Sequence, residues 1–429
     1  MTRPNIILIF ADDLGYGDLG CEGGKVIRTP HLDRMAAEGT RLTDFYASAN
    51  ICTPSRAGLM TGQFAIRNGL AHEVIQAADS TGLPPDAFTI PRLLKTAGYA
   101  TALIGKWHLG HVAPHWPPTL YGFDTFKGLP YSHDMRPLSY FEADGAEITL
   151  TEDKVDFTRL TERFFAETLA FAGAHKDGPF AIVLALTAPH VPLRPHESSD
   201  GTSLAGAHGE EVKEIDRNVG ALLAALADMG LEGNTLVAFT SDNGPWFEGS
   251  SGPFRDRKGG GAWEGGFRVP CILRQPGTIP AGQACSGLTS NLDFLPTFAA
   301  LTGTTAAIPA GHDLDGVDLC GLILRGEPSP RDEIVLFNNT KVAAVRAGRW
   351  KYVGQSYYRG LDIDLAAYRY PLLFDLETDP GETYSLAARH PEVMQAMAAR
   401  YEAAKAKFAP MAAKSLAHVP PPGAENHPD

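Results

Sequence analysis

A chain of 429 residues is long for one hydrophobic core and predicts a large domain followed by a smaller one. Hydrophobic residues at 44% and charged residues at 20% place it among ordinary globular proteins. A net charge of −13 argues against nucleic acid and anionic membranes as partners, but not against a small anion bound where a few cations converge.

The opening Met1-Thr2-Arg3-Pro4 runs directly into the apolar stretch Asn5–Ala11, too short for a leader core and far short of the about 20 residues of a membrane span. Five sparse cysteines without metal-ligand spacing add an expectation of reduced thiols in the cytoplasm, or of the periplasm if a leader precedes the chain. Asn5–Ala11 reads as a buried parallel strand ending in Asp12-Asp13-Leu14-Gly15, where open α/β sheets carry their sites. A single carboxylate there would cap a turn, whereas two before a glycine-rich loop suit the oxygen shell of a hard cation. Pro30–Gly39 has helical spacing. A further helix is predicted from Ser55, with Pro54 in its first turn, Cys52 beside its N-terminus and Arg56 one turn away. Such a terminus favours an anion and lowers a thiol pKa, so Cys52 is either a sulfur nucleophile or a buried structural cysteine.

Thr89–Gly98 predicts a helix and Tyr99–Ile104 a strand, followed by Gly105-Lys106-Trp107-His108-Leu109-Gly110. Extended backbone there points Lys106 and His108 the same way. Gly128–Asp134 is a loop by composition. Asp153–Ala174 reads as a long amphipathic helix capped by Asp153. The strand Phe180–Leu186 leads into Pro189-His190-Val191-Pro192, whose prolines fix the direction of His190. Gly209–Met229 carries a core-packing stripe, and the strand Leu236–Thr240 ends in Ser241-Asp242-Asn243-Gly244, either a tight turn or a second pair of oxygen ligands. Phe254–Pro270 is rich in glycine and charge, and Asn291–Thr302 reads as a helix kinked at Pro296. From about residue 331 the pattern changes. Short alternating strands (Ile334–Phe337, Val342–Arg346, Trp350–Val353, Leu372–Asp375), the helix Pro391–Phe408 and a proline-rich tail from Pro420, expected to be disordered, divide the chain into 1–330 and 331–429.

Asp12, Asp13 and Asp242 could not stay ionised together unpaired, and a divalent cation would resolve their repulsion with Asn243 as a neutral ligand. All-oxygen ligands favour calcium or magnesium over zinc. Arg56, Lys106 and Lys258 around such a metal suit an anionic tetrahedral centre.

Several motifs sharpen this. Cys52-Thr53-Pro54-Ser55-Arg56 with its tail Ala57-Gly58-Leu59-Met60-Thr61-Gly62 resembles the sulfatase signature C-x-P-S-R. The Gly105–Gly110 segment, Gly128-Leu129-Pro130-Tyr131-Ser132-His133-Asp134, Glu264-Gly265-Gly266-Phe267-Arg268-Val269-Pro270 and Trp350-Lys351-Tyr352 are similar to further segments of that family, in the same order. The chain therefore resembles the formylglycine-dependent (type I), arylsulfatase A-like sulfatases of the alkaline phosphatase superfamily. One departure stands out: the family lysine commonly lies five residues before the glutamate, and Lys258 lies six before Glu264.

The resemblance implies an α/β fold, with a large, mostly parallel mixed sheet sandwiched by helices and a smaller C-terminal antiparallel sheet plus helix. It implies that a formylglycine-generating enzyme oxidises Cys52 to an aldehyde, which acts as its hydrate. Asp12, Asp13, Asp242, Asn243 and the modified Cys52 would bind a divalent cation, Ca²⁺ in preference to Mg²⁺. Lys106, Ser132, His190 and Lys258 would hold the sulfate. One hydrate hydroxyl, activated with help from Asp242 and oriented by Arg56 and Lys106, attacks sulfur, and His190 or Lys258 protonates the leaving alcohol. His108 then takes the proton of the second hydroxyl and sulfate departs. The implied substrate is an aryl sulfate or sulfated carbohydrate, a small-molecule or glycan ester. Two rival readings remain open: a phosphonate or phosphate ester hydrolase of the same superfamily, and a non-catalytic sulfate-binding scaffold. A scaffold would be expected to have lost some of Cys52, Lys106, His108 or His190, and all four are present.

Overall fold

The strand Asn5–Ala11 is buried along its whole length because both of its faces are covered. Ile6, Leu8 and Phe10 enter one hydrophobic cluster, while Ile7, Ile9 and Ala11 enter another on the opposite side, as the two-residue period of a strand requires. The computed structural model describes residues 3–358 and 361–416. It places this strand near the middle of a ten-stranded sheet. In spatial order the sheet runs Gln283–Cys285, Thr40–Leu42, Cys271–Arg274, Thr235–Ser241, Asn5–Ala11, Phe180–Ala185, Ala100–Lys106, Thr125–Leu129, Ser139–Asp144, Glu147–Asp153. The five strands from Thr235–Ser241 to Thr125–Leu129 are mutually parallel, and antiparallel pairs flank them on both sides.

Helices Pro30–Ala37, Leu160–Ala174 and Gly206–Asp228 bury their apolar stripes on one face. On the other lie Cys52–Thr61, Ile90–Lys95, Phe294–Thr302 and a four-stranded antiparallel sheet, ordered Glu333–Asn338, Lys341–Ala347, Trp350–Val353, Leu372–Asp375. The long helix Pro391–Leu416 covers that small sheet, extending beyond the expected Phe408 with Pro410 inside it. Phe408 meets Phe64 and Phe337 at ring separations of 5.7 and 5.1 Å, so the C-terminal unit shares the core of the large sheet. The proline-rich tail lies outside the described residues. No helix among the described residues is long and apolar enough to cross a membrane.

Three local expectations are corrected. Asp153 caps no helix: Glu147–Asp153 is an edge strand paired with Ser139–Asp144, and Asp153 accepts a hydrogen bond from Ser139 Oγ at 3.1 Å. The alternating Ile148-Thr149-Leu150-Thr151 completes the sheet edge, and the helix begins only at Leu160. The helix beside Arg56 starts at Cys52 rather than Ser55, with Pro54 still in its first turn. Pro296 is the third residue of Phe294–Thr302, where its missing N–H breaks no intrahelical bond, so no kink follows from it.

Candidate active site

The five parallel strands end side by side, and each delivers part of one cluster. Asp12 and Asp13 follow Asn5–Ala11, Lys106 is the last residue of its strand, and Asp242 and Asn243 follow Thr235–Ser241. His190 lies beyond Phe180–Ala185 and Ser132 just beyond Thr125–Leu129. The approach is tight at Gly105 (φ 112°), where a Cβ would lie 1.8 Å from the Ala185 carbonyl oxygen. Only glycine lets the Lys106 strand close against its neighbour. Two residues of the cluster adopt left-handed backbone, Asp13 (φ 63°) and His108 (φ 58°). Hydrogen bonds from Asp13 N to Asp242 Oδ1 at 3.2 Å and from His108 N to the Pro130 carbonyl at 3.0 Å hold them there.

Cys52 sits at the N-terminus of its helix with Sγ 3.4 Å from Asp12 Oδ1. Lys106 Nζ donates to Asp12 Oδ2 at 2.5 Å, and Arg56 donates through Nε and Nη2 to Asp242 Oδ2 at 3.1 and 2.8 Å. Arg56 Nη1 also donates to the Lys106 carbonyl at 3.1 Å. Lys258 Nζ reaches Asp13 at 2.8 Å, so the structure brings it into the cluster despite the spacing departure. Directly after it the chain turns through Gly259, Gly260 and Gly261, with Gly259 N donating to the Asn50 carbonyl at 2.9 Å.

Three carboxylates thus face three cations, which corrects the argument that charge alone demands a metal. A different observation points to one. Asn243 Nδ2 donates to Asp13 Oδ1 and to the Gly244 carbonyl, both at 2.8 Å, leaving Asn243 Oδ1 buried without a partner beside the carboxylates. Ligand atoms of Asp12, Asp13, Cys52 and His190 also lie within 4.8 Å of one another. The donor set fits a hard cation, and the residues able to hold it are Asp12, Asp13, Asp242, Asn243 and an oxygen carried at position 52.

Electrostatics separate the members. Burial, together with the charge of Asp12, pushes Asp242 up to about 7. Asp12 is held well below the usual carboxylate range, its burial outweighed by Lys106 and Arg56. Burial raises the Cys52 thiol well above its ordinary value, with Asp242 and Asp12 adding to it against Lys106 and Lys258. The expected lowering by the helix terminus is therefore overturned, and unmodified Cys52 is a protonated thiol rather than a ready nucleophile. His108 is held neutral by burial and by Lys106 and Arg56. Its Nε2 pairs with the Ile75 carbonyl at 2.9 Å, so that nitrogen carries the proton and the buried, unpartnered Nδ1 keeps an open lone pair.

His190 Nδ1 donates to the Val191 carbonyl and Nε2 faces Asp13 Oδ2 at 3.6 Å. Ser132 Oγ is buried without a well-formed hydrogen bond. His133 stacks on Phe157 at 5.3 Å and meets the His190 ring edge-on at 5.7 Å. Sequence reasoning missed two supports of His108. The Ile75 carbonyl comes from an irregular loop with no signature, and Thr53 Oγ1 donates to the His108 carbonyl at 3.0 Å while accepting from Ile75 N at 3.1 Å. The second of these was open to detection, since Thr53 lies inside the Cys52 motif.

Comparison with known proteins bears on the family and the fold. The sulfatase family profile matches residues 4–304, and that of the C-terminal region of aryl-sulfatase matches residues 329–419. Arylsulfatase A of Bos taurus is 40% identical over 95% of this chain and 88% of its own length. The crystal structure of the PsFucS1 sulfatase from Pseudoalteromonas sp. superposes with a TM-score of 0.88 at 29% identity, over 97% of this chain and 92% of that one. Phosphonate monoester hydrolase of Agrobacterium radiobacter superposes with a TM-score of 0.67 at 21% identity, over 95% of this chain and 96% of that one, a likeness of fold alone.

Proposed function

The chain belongs to the sulfatase family and is a sulfuric ester hydrolase, and on that premise we propose that it acts through a formylglycine at position 52 and a bound Ca²⁺. The observation that carries this reading is the placement of Cys52 Sγ, 3.4 Å from Asp12 Oδ1, among cations and carboxylates that leave the thiol itself protonated. A thiol in that setting is a poor nucleophile, so its position has chemical use only once it is converted. A formylglycine-generating enzyme is the partner that conversion requires.

When present, the aldehyde hydrate supplies a nucleophilic hydroxyl and a second hydroxyl whose loss of a proton expels sulfate, while the cation supplies positive charge to the sulfate oxygens. Lys106 and Lys258, fixed by Asp12 and Asp13, present ammonium groups to a tetrahedral anion. Arg56 is pinned to Asp242 and orients the group at position 52 from one helical turn away. Asp242, its Oδ2 held by Arg56, is the carboxylate that helps to activate the hydroxyl at position 52. His108 offers Nδ1 as the base for sulfate release. His190 has its Nδ1 hydrogen tied to Val191 and offers Nε2 to the leaving oxygen, and the Ser132 hydroxyl, buried without a well-formed hydrogen bond, can turn to a sulfate oxygen.

The substrate is a sulfate ester of an aryl alcohol or a carbohydrate. The test combines peptide mass spectrometry across Cys52 with sulfate release from a chromogenic aryl ester on the same batch. Aldehyde with turnover supports the reading. A much higher kcat/KM on phosphonate monoesters than on matched sulfates overturns it in favour of the phosphonate hydrolase.

A further inference from the structure

Immediately after the Asp242-Asn243-Gly244 turn the chain exposes two aromatic side chains to solvent. Trp246 is 37% and Phe247 68% exposed, and their rings meet edge to face at 4.7 Å. Exposed aromatic residues cost solvation without contributing to the core, so a rigidly held pair beside a reaction centre calls for an explanation. The pair is rigidly held. Gly249 N donates to the Trp246 carbonyl at 3.3 Å, Gly17 N to the Ser250 carbonyl at 2.7 Å and Ser250 N to Asp18 Oδ1 at 3.0 Å. The buried His208 fixes Asp18 in turn at 3.0 Å. From the other side Lys258 N donates to the Pro245 carbonyl and Arg257 Nη1 to the Phe247 carbonyl, both at 3.0 Å.

The same contacts join the pair to the cluster. Lys258 Nζ lies 2.8 Å from Asp13 and 5.7 Å from the centre of the Trp246 ring. A sulfate held by that ammonium therefore keeps its esterified alcohol within reach of the indole. Arg257 lies over the Phe247 ring at 5.2 Å and pairs with no carboxylate among the described residues. Its neighbour Arg255 is occupied differently, stacked on Trp263 at 3.6 Å and donating to the Glu382 carbonyl at 3.1 Å. Arg257 is thus a cation left available at the edge of an aromatic face.

Resting on the sulfatase reading above, we propose that Trp246, Phe247 and Arg257 form the subsite for the alcohol part of the substrate, and that this part is a sugar bearing a second anionic group. A sugar presents a flat face of C–H groups to an indole, and a carboxylate or second sulfate on it finds the guanidinium as a bidentate partner. The overall charge of −13 does not oppose this, because Arg257 presents its cation locally at the edge of the Phe247 ring.

The experiment compares two monosulfated disaccharides that differ only in a uronic carboxylate replaced by a neutral hydroxymethyl group. kcat/KM is measured for both with wild type, Arg257→Gln and Trp246→Ala. Wild type is expected to prefer the carboxylate-bearing ester, Arg257→Gln to cut that preference by about tenfold or more, and Trp246→Ala to raise KM for both sugars by about tenfold. A folding defect would lower both esters together and leave their ratio alone, so the ratio reads the subsite. An unchanged preference in Arg257→Gln, or no preference in wild type, overturns the subsite while leaving the sulfatase reading intact. Wild type that carries the aldehyde yet releases sulfate from no ester overturns the underlying reading, and the subsite with it.

Discussion

Replacing Lys106 by methionine tests the electrostatics of the cluster directly. Lys106 is fully buried with Nζ 2.5 Å from Asp12 Oδ2, and methionine fills nearly the same volume, so packing changes little. What changes is the charge. Asp12 is left buried with Arg56 Nη2 at 3.6 Å as its remaining close cation, and the charge of Asp12 already pushes Asp242 up. Breaking one side of a buried pair costs about 3–5 kcal/mol. At about 2–4 °C per kcal/mol, that lowers Tm by about 6–20 °C in calcium-free buffer at neutral pH. The sign with pH follows from Asp12, which Lys106 and Arg56 hold well below the usual range against burial. Without Lys106 its folded-state pKa rises, so the variant's deficit is small in acid, where the carboxylate is protonated in both states, and grows as pH rises. A divalent cation between the carboxylates replaces the lost charge, so saturating Ca²⁺ should shrink the deficit to less than half. Calorimetry of wild type and variant, with Ca²⁺ and with a chelator, reads all of this. A deficit below about 2 °C in the chelator, or an equal deficit in both buffers, would refute the reasoning.

Other outcomes follow from the same geometry. Cys52→Ala should abolish turnover by at least about a thousandfold while leaving the fold intact, checked by sulfate release and circular dichroism. His108→Ala should slow steady-state turnover while still releasing one equivalent of alcohol per enzyme, because Nδ1 acts only in sulfate release. A stopped-flow burst with a chromogenic ester would show it, and absence of a burst would place His108 in the first step instead. Glu211 is pushed up to about 8 by burial, against the Arg194 N–H that it accepts at 2.6 Å. A carboxyl raised in the folded state favours folding while protonated, so its contribution is fully present below the ordinary value and lost as pH rises through about 8. Glu211→Gln should therefore gain stability relative to wild type between pH 5 and 8, by on the order of 4 kcal/mol at the upper end, in chelator-matched urea titrations.

The family, the α/β class and the chemistry of sulfate ester hydrolysis were legible in the sequence because each rests on short contiguous segments. Buried parallel strands announce themselves as apolar runs, and residues at their carboxyl ends, Asp12, Asp13, Lys106 and Asp242, follow those runs directly. The C-terminal antiparallel sheet was readable for the same reason, from the two-residue alternation around Trp350–Val353 and Leu372–Asp375. Features that depend on distant partners were not. Asp153 reads as the N-cap of a helix until Ser139–Asp144 is there to pair with Glu147–Asp153 as a strand. The Cys52 pKa has the opposite sign from the local argument, because complete burial and two carboxylates from other strands outweigh one helix terminus. Lys258 looks misplaced along the chain and reaches Asp13 all the same. The exposure of Trp246 and Phe247 is likewise a product of the tertiary fold: in sequence they are two aromatic residues that a core would ordinarily bury. Local backbone preference and hydrophobic periodicity act over a few residues, and a sequence displays them directly. Desolvation, charge balance and strand pairing are sums over neighbours brought together by the fold, and only the folded chain determines them.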